Sequence, residues 1–332
     1  MKFVLGLALL AFAADESKKV EVVCPLDGTR FTATEVVRTD ASRGWGGVDA
    51  DFCPHAYRTF PMEAYIWTCP KCWYSGNKEG FDPKKPPDAA LKAKLKGALR
   101  PALPIKPDAR QEEIPGWVKY DLSAQVEALR PSPPLAIAQR HLAAAWAARQ
   151  AGAARLDDFD EWVEASRAAG LEKDTFELGK KNRSDHDLAA CQGLEKEVAA
   201  GKFKGTDLLL RRHLLAWTYR RRGENVDALK WLDALAGTKG DNSVIDESAA
   251  RLRASIEAER EQQKKAAAQY ARAIGDAALD AKTRAECQYM LGEIARRNGE
   301  YPAAAEWYGK AIAATPDAAL KKAAEAQKAK LP

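Results

Sequence analysis

The spacing of apolar residues changes along the chain and predicts two kinds of structure. Between residues 20 and 82, short β-branched runs such as KVEVVCPL are separated by turn-rich stretches such as RGWGGVDADF. Runs of this kind, bounded by glycine and proline, predict short β-strands. From Leu135 onward, apolar residues recur every three or four positions and loops fall at glycines, which predicts α-helices. We therefore expect a mainly α protein with a small β-rich part at its start.

Proline and lysine dominate the stretch between these two parts. The segment DPKKPPDAALKAKLKGALRPALPIKP contains one possible short helix, and the stretch ends in SPPLA at Ala136. Such a composition predicts a linker, or an arm packed along the next domain, and not a separate fold. The expected organisation is a cysteine module at 20–82, a Pro/Lys-rich linker or arm at 83–134 and a helical domain at 135–328.

The first 13 residues have the three-part pattern of a cleaved export signal. Lys2 supplies the positive start, Phe3 to Phe12 the apolar core, and Ala11-Phe12-Ala13 a small-x-small cleavage site. The apolar run has about half the length that a membrane span requires. We therefore expect a signal peptide at 1–13, an exported protein in the periplasm or another extracytoplasmic compartment, and no transmembrane segment after cleavage.

The helical part contains an internal repeat with a step of 38 residues. Three segments align, beginning at Leu215, Arg253 and Leu291. The middle segment is the weakest, because Glu261 stands where the other two have a turn glycine. The coinciding positions are Ala228, Ala266 and Ala304; Leu232, Tyr270 and Tyr308; and Leu235, Ala273 and Ala311.

The third segment resembles a tetratricopeptide repeat, in which two antiparallel helices pack closely. Gly292 and Ala304 fall where the two helices would cross, and only small side chains permit that approach. Tyr308 would fill the gap to the next helix. The resemblance implies a helical repeat array. It is carried by Leu291, Gly292, Ala295, Gly299, Tyr301, Ala304, Tyr308, Ala311 and Pro316.

Cysteine spacing suggests a metal site in the first module. Cys69-Pro70-x-Cys72 has the form of a zinc knuckle, and Cys24-Pro25 begins a similar turn in which Asp27 stands at the place of the second cysteine. Zinc accepts thiolate sulfur and carboxylate oxygen in a tetrahedral site. The candidate ligands of one structural Zn²⁺ are Cys24, Asp27, Cys69 and Cys72, with Cys53 or His55 as alternative fourth ligands.

Two other roles for these cysteines remain open at this stage. In an exported protein, Cys53 could form a disulfide with Cys24, Cys69 or Cys72, or the thiols could be free. A thioredoxin-type CxxC opens a helix, whereas WYSGN after Cys72 predicts a turn, so redox catalysis is the weaker interpretation. Cys191 and Cys287 lie among small apolar residues in predicted helices, as buried inert thiols do.

The module also resembles an uncharacterised bacterial family, domain of unknown function 2225. The matching motifs are Cys24-Pro25, Asp49-x-Asp51-Phe52, FPMEAY and Cys69-Pro70-x-Cys72. The chain departs from the family pattern at Asp27 in place of cysteine, Phe60 in place of asparagine and Trp73 in place of glycine. The resemblance implies a zinc-ribbon-like module followed by helical repeats, and it implies no activity.

Charge gives little support to catalysis or to nucleic-acid binding. Asp49 and Asp51 could form an acid pair, but aspartates in turn-rich text more often support the turn. Arginines around RRHLLAWTYRRRG fit a solvated helix face, and a net charge of +5 over 332 residues is mild. Together with the lack of a P-loop, GxSxG, HExxH or GxGxxG motif, this predicts a non-enzymatic protein.

The expected function is protein–protein interaction in the cell envelope. Tetratricopeptide-type arrays bind peptides or proteins in a concave groove. The repeat register places Tyr219, Arg220 and Arg296 on first helices, so we expect them to contact a protein or peptide partner. The alternative is a thiol-redox or metal-handling protein that acts through Cys69-x-x-Cys72.

Overall fold

The computed structural model describes residues 16–38, 48–54, 62–153, 183–237 and 243–332. These residues are mainly helical, with short antiparallel strands at the start, as the sequence predicts. The predicted signal peptide lies outside them, and none of their helices is long and apolar enough to cross a membrane. The strands are β1 Glu16–Val23, β2 Arg30–Arg38, β3 Trp67–Thr68 and β4 Ser75–Gly76. The helices are α1 Ala89–Leu95, α2 Gly116–Leu129, α3 Pro134–Ala153, α4 Arg183–Ala199, α5 Gly205–Arg221, α6 Asn225–Ala236, α7 Ser243–Ile274, α8 Ala281–Arg297, α9 Tyr301–Ala314 and α10 Ala318–Lys328.

Two small hairpins build the cysteine module. Strands β1 and β2 pair antiparallel, with Val20 opposite Ala33 and Val22 opposite Phe31. Since side chains alternate between the two faces of a strand, Val22 is buried while its neighbour Val23 is exposed. Strands β3 and β4 pair through Thr68 and Ser75 and enclose the second cysteine pair. The buried faces of both hairpins share one apolar core with α1 and α2.

Helix α2 lies in the segment predicted as a linker or arm, and it joins the module to the helical body. One face, with Val118, Leu122 and Val126, packs into the core of the cysteine module. Tyr120 on another face packs with Ala144 of α3. Because both faces of α2 are buried against different partners, the module and the helical body are fixed to each other.

The helical body is built on α3 and α7, which pack along each other. Helices α5 and α6 form one antiparallel hairpin, and α8 and α9 form another. The prediction of a middle repeat unit is wrong, because Arg253 to Ala273 lie within the single helix α7. Glu261 stands where a turn would need glycine, and its strongly helix-forming neighbours continue the helix through that position.

The close approach predicted for the third segment is present between α8 and α9. A Cβ atom built on Gly292 would lie 2.7 Å from ring carbons of Tyr308. The ring is held in place, since the Tyr308 hydroxyl donates a hydrogen bond to Glu293 Oε1 at 2.5 Å. Ala304 and Ala311 on the same face of α9 are fully buried.

We expect Gly292→Ala to destabilise the protein by about 1 kcal/mol or more. Overpacking against an anchored ring costs about 1–3 kcal/mol, which exceeds the gain of about 1 kcal/mol in helix propensity. Gly309→Ala in α9 is the matched control, because its Cβ would meet only the flexible end of Lys328 at 3.4 Å. Urea unfolding should show Gly309→Ala at or above the wild-type stability. Equal stability of Gly292→Ala and the wild type would contradict the tight crossing.

Candidate metal centre

The two cysteine turns of the module have the same backbone geometry. In the first, Gly28 N donates to Cys24 O at 2.9 Å and Cys24 N donates to Thr29 O at 2.8 Å. In the second, Trp73 N donates to Cys69 O at 3.0 Å and Cys69 N donates to Tyr74 O at 2.8 Å. Each turn closes on a residue with positive φ, +77° at Gly28 and +66° at Trp73. The turns are therefore equivalent, although neither matches the complete Cys-Pro-x-Cys-Gly sequence.

Equivalent turns place equivalent side chains at one point. Asp27 occupies in the first turn the position that Cys72 occupies in the second. One ligand atom from each of Cys24, Asp27, Cys69 and Cys72 lies within 4.8 Å of the others. Cys24 Sγ is 3.5 Å from Cys72 Sγ, and Cys69 Sγ is 3.7 Å from Asp27 Oδ1. The four residues that the sequence singled out as ligands thus come together, from turns more than forty positions apart.

The three thiols shift one another's pKa values. Hydrogen bonds from Cys24 and Cys72 stabilise the Cys69 thiolate and lower the pKa of Cys69. The hydrogen bond with Cys69 correspondingly raises the pKa of Cys24 to about 12. Sulfur atoms in this arrangement favour a shared negative charge, and a bound cation would stabilise all three as thiolates.

The donor set fits a zinc ion. Three sulfur atoms and one carboxylate oxygen make four ligands, the number that tetrahedral zinc requires, and each residue type is a known zinc ligand. Cys24 and Cys69 are buried and Cys72 is partly exposed, whereas Asp27 is exposed. Asp27 Oδ1 also accepts a hydrogen bond from Thr29 N at 3.0 Å, which orients the carboxylate. The exposed carboxylate is the most accessible side of the centre.

Contacts outside the ligand set hold the second turn in position. The Gln111 side chain accepts from Thr68 N at 3.1 Å and donates to Thr68 O at 2.6 Å, so it pairs with the residue before Cys69. After the turn, the Tyr74 hydroxyl donates to Gly80 O at 3.1 Å and accepts from Arg130 Nη2 at 2.9 Å. The second turn is therefore supported by Gln111, which precedes α2 in the chain, and by Arg130, which follows it, and not by the cysteine turns alone.

The alternative ligands lie elsewhere. Cys53 is not part of this cluster; it is buried near Arg149 and Asp51, and burial raises its pKa well above the usual value. The prediction that Cys53 could complete the site is therefore wrong, and its buried surroundings give the reason. His55 lies outside the described residues. None of the six cysteines, all of which the structure describes, forms a disulfide, and Cys191 and Cys287 are buried as expected.

The sequence did not predict a second cluster, which consists of buried charged residues around Arg149. Arg149 on α3 is 1% exposed and binds three carboxylates at once. Its Nη1 lies 2.9 Å from Asp49 Oδ2, and its Nη2 lies 2.5 Å from Asp51 Oδ2 and 2.6 Å from Glu259 Oε1. Burial alone would raise the pKa of Asp51, but the charges of Arg149 and Arg297 hold it below its usual value.

The cluster extends through the helical body as a buried ionic network. Glu259 on α7 also pairs with Arg220 on α5, and Arg297 on α8 reaches Asp51 Oδ1 at 3.2 Å. Gly223 packs directly against this network, since a Cβ atom at residue 223 would overlap the guanidinium groups of Arg149 and Arg297. The network thus ties the Asp49–Asp51 segment to four helices. Its charged members include Asp49, Asp51, Arg149, Arg220, Glu259, Arg297 and Glu293, which pairs with Arg297 at 3.3 Å.

Two of the three residues predicted to contact a partner are buried, and the third, Arg296, is partly exposed. Arg220 is fully buried in the ionic network, and Tyr219 is 6% exposed in the core beside α4. Arg296 pairs with Glu224 at 2.6 Å and with Glu293 at 3.1 Å. The expectation that Tyr219 and Arg220 face a partner is therefore wrong, because neighbouring helices cover both side chains. Contact of a partner with Arg296 stays a prediction.

Comparison with known proteins identifies a bacterial family. The sequence model of a family described as an uncharacterised protein conserved in bacteria, DUF2225, matches residues 17–256. No curated protein and no solved structure matches the chain. The matched region includes both cysteine turns and most of the ionic network, and it ends within α7 before the α8–α9 hairpin. Since more than half of the chain is matched, the chain belongs to the DUF2225 family of bacterial proteins.

Proposed function

We propose that this chain is a zinc-binding, non-catalytic protein-interaction scaffold of the cell envelope. The observation that carries the metal-binding part of the proposal is the convergence of Cys24, Asp27, Cys69 and Cys72 within 4.8 Å. Zinc at this point would link the turn after β1 to the turn after β3. The metal would then supply stability to a module of two two-stranded sheets, which are marginally stable alone.

Native mass spectrometry tests the zinc part of this proposal. We expect the purified full chain, isolated without added metal, to carry one zinc that a strong chelator removes. The measured mass also distinguishes the alternative of thiol-redox chemistry, which the 3.5 Å approach of Cys24 Sγ and Cys72 Sγ favours. A metal-free protein two hydrogens lighter than the reduced chain would contradict the zinc proposal and show a disulfide. Its reduction potential would then distinguish a structural disulfide from a redox-active thiol pair.

Helix packing supports the scaffold part. The α8–α9 hairpin has the glycine–tyrosine crossing that the resemblance to a tetratricopeptide repeat implies. Helices α5 and α6 form a second helical hairpin. Repeats of that kind bind other proteins through exposed faces of their helices. Leu210 on α5 is an exposed apolar side chain, 46% accessible, on such a face.

Crosslinking in cells tests this role and the location together. A photo-reactive amino acid at Leu210 should give a defined crosslink to one other protein, and the mature N-terminus should lie near residue 14 if the leader is cleaved. An exposed position on a different surface, such as Lys84, serves as the matched control. Equal crosslinking from both positions would argue against a specific interaction surface, and an intact leader would argue against export by cleavage.

A further inference from the structure

A small cavity lies between the β1–β2 hairpin and the start of α2. Its volume is about 220 Å³, and Thr34, Ala64, Trp67, Gln111 and Lys119 are among the residues that line it. Ser17, Glu63 and Glu112 also border it and are exposed, so the cavity reaches the protein surface. The metal-centre proposal assigns no role to this cavity.

Lys119 is the unusual member of the lining. It is 3% exposed, and its Nζ donates a hydrogen bond to Glu63 O at 3.2 Å. Within the described part of the chain, Nζ has no other hydrogen-bond partner. An ammonium group carries three N–H donors, and burying unused donors costs free energy. Lys119 is therefore held in the cavity wall with capacity for a further interaction.

We propose that Lys119 is a nucleophilic amine that captures a small uncharged aldehyde in this cavity as a Schiff base. The Nζ lone pair attacks the carbonyl carbon, and the carbonyl oxygen takes up a proton to give a carbinolamine. The carbinolamine then loses water as its C–O bond breaks and the nitrogen gives up its remaining proton. One amine and one aldehyde thus give one imine and one water. Lysines desolvated in apolar pockets are activated for this chemistry.

The surroundings of Lys119 support both the reactivity and the ligand class. Burial lowers the pKa of Lys119 to about 8. The nearby charges of Glu63 and Glu112 raise this pKa, and the charge of Lys19 lowers it. Near pH 7.5 the neutral, reactive fraction is then roughly 200-fold larger than for an ordinary lysine. The two glutamates at the border disfavour an anionic ligand such as an oxo acid. The apolar faces of Ala64 and Trp67 favour a short hydrocarbon chain.

Reductive trapping tests the proposal. The folded full chain is exposed briefly to propanal and cyanoborohydride at pH 7.5, then digested and analysed by mass spectrometry. We expect propylation of Lys119 at least about 10-fold faster than that of the exposed Lys84 and Lys85. Lys119→Met should remove the fast site, and Ala64→Leu, which narrows the cavity, should slow labelling of Lys119 without changing that of Lys84.

Two results would overturn the inference. Labelling of Lys119 no faster than that of Lys84, or only after unfolding in urea, would show that the amine is simply buried. Glyoxylate that labels Lys119 as fast as propanal does would contradict an uncharged ligand. Circular dichroism of each variant identifies those that fold, and Lys119→Met replaces the buried ammonium by an apolar side chain of similar length. The wild-type comparison of Lys119 with Lys84 decides the question even if the cavity variant does not fold.

Discussion

Replacing Arg149 by methionine should destabilise the folded protein by about 3–5 kcal/mol, because it removes one partner of a buried ionic network. Asp49, Asp51 and Glu259 all lie within 2.9 Å of its guanidinium group, and each carboxylate is at most 4% exposed. Without Arg149, these three acids would remain buried with too few positive charges. Uncompensated charge in a buried site costs far more than an exposed ion pair contributes.

Urea denaturation of Arg149→Met and the wild type measures this loss. Lys310→Met is the control, since Lys310 forms an exposed pair with Glu306 at 2.6 Å and its loss should change stability by at most about 0.5 kcal/mol. Arg149→Met combined with Asp49→Asn should recover part of the loss, because one buried negative charge is removed together with the positive one. If Arg149→Met unfolds at the same urea concentration as Lys310→Met, the network does not stabilise the fold.

Replacing Cys69 by serine should abolish stable zinc binding and loosen the cysteine module. Structural zinc sites contribute about 10–16 kcal/mol of binding free energy through four ligands, so loss of one thiolate should weaken binding at least about 100-fold. Cys69 is fully buried at the centre of the ligand set, and the loss should therefore exceed that in Asp27→Asn, which keeps an oxygen ligand at an exposed position.

Competition with a chromogenic chelator gives the affinities of the variants. Cys287→Ser is the matched control, because Cys287 is equally buried but lies in α8, far from the ligand set in sequence. It should lose some stability and keep one zinc. Retention of zinc with unchanged affinity by Cys69→Ser would show that these four residues are not the metal site.

The cysteine turns show how far local sequence specifies a site. Proline after each cysteine and a residue with positive φ four positions later define the turn, and the spacing of Asp27 from Cys24 equals that of Cys72 from Cys69. These features are local, so the four ligands could be predicted. The replacement of glycine by Trp73 did not change the turn. The left-handed conformation costs Trp73 about 1 kcal/mol, which its partial burial in the module core offsets.

The repeat pattern was informative in one place and misleading in another. Gly292 and Ala304 mark a helix crossing, because only small side chains allow two backbones to approach so closely. The same register applied to Arg253–Ala273 predicted a hairpin where α7 is continuous. A repeat alignment records which positions are small or aromatic, but a turn forms only where the backbone is free to leave the helix.

By itself, the sequence determined the mainly helical fold, the short strands of the first module and the four side chains of the candidate metal centre. Each depends on residues close together in the chain, or on a motif that forms the same turn wherever it occurs. Only the tertiary structure decided the surroundings of charged residues. The local sequence predicts a turn around Asp51 and solvated helix faces around Arg149 and Arg220. The three residues are nevertheless buried in one network. Burial of a charge depends on partners distant in sequence, because an opposite charge must offset its loss of water, and no local pattern specifies that partner.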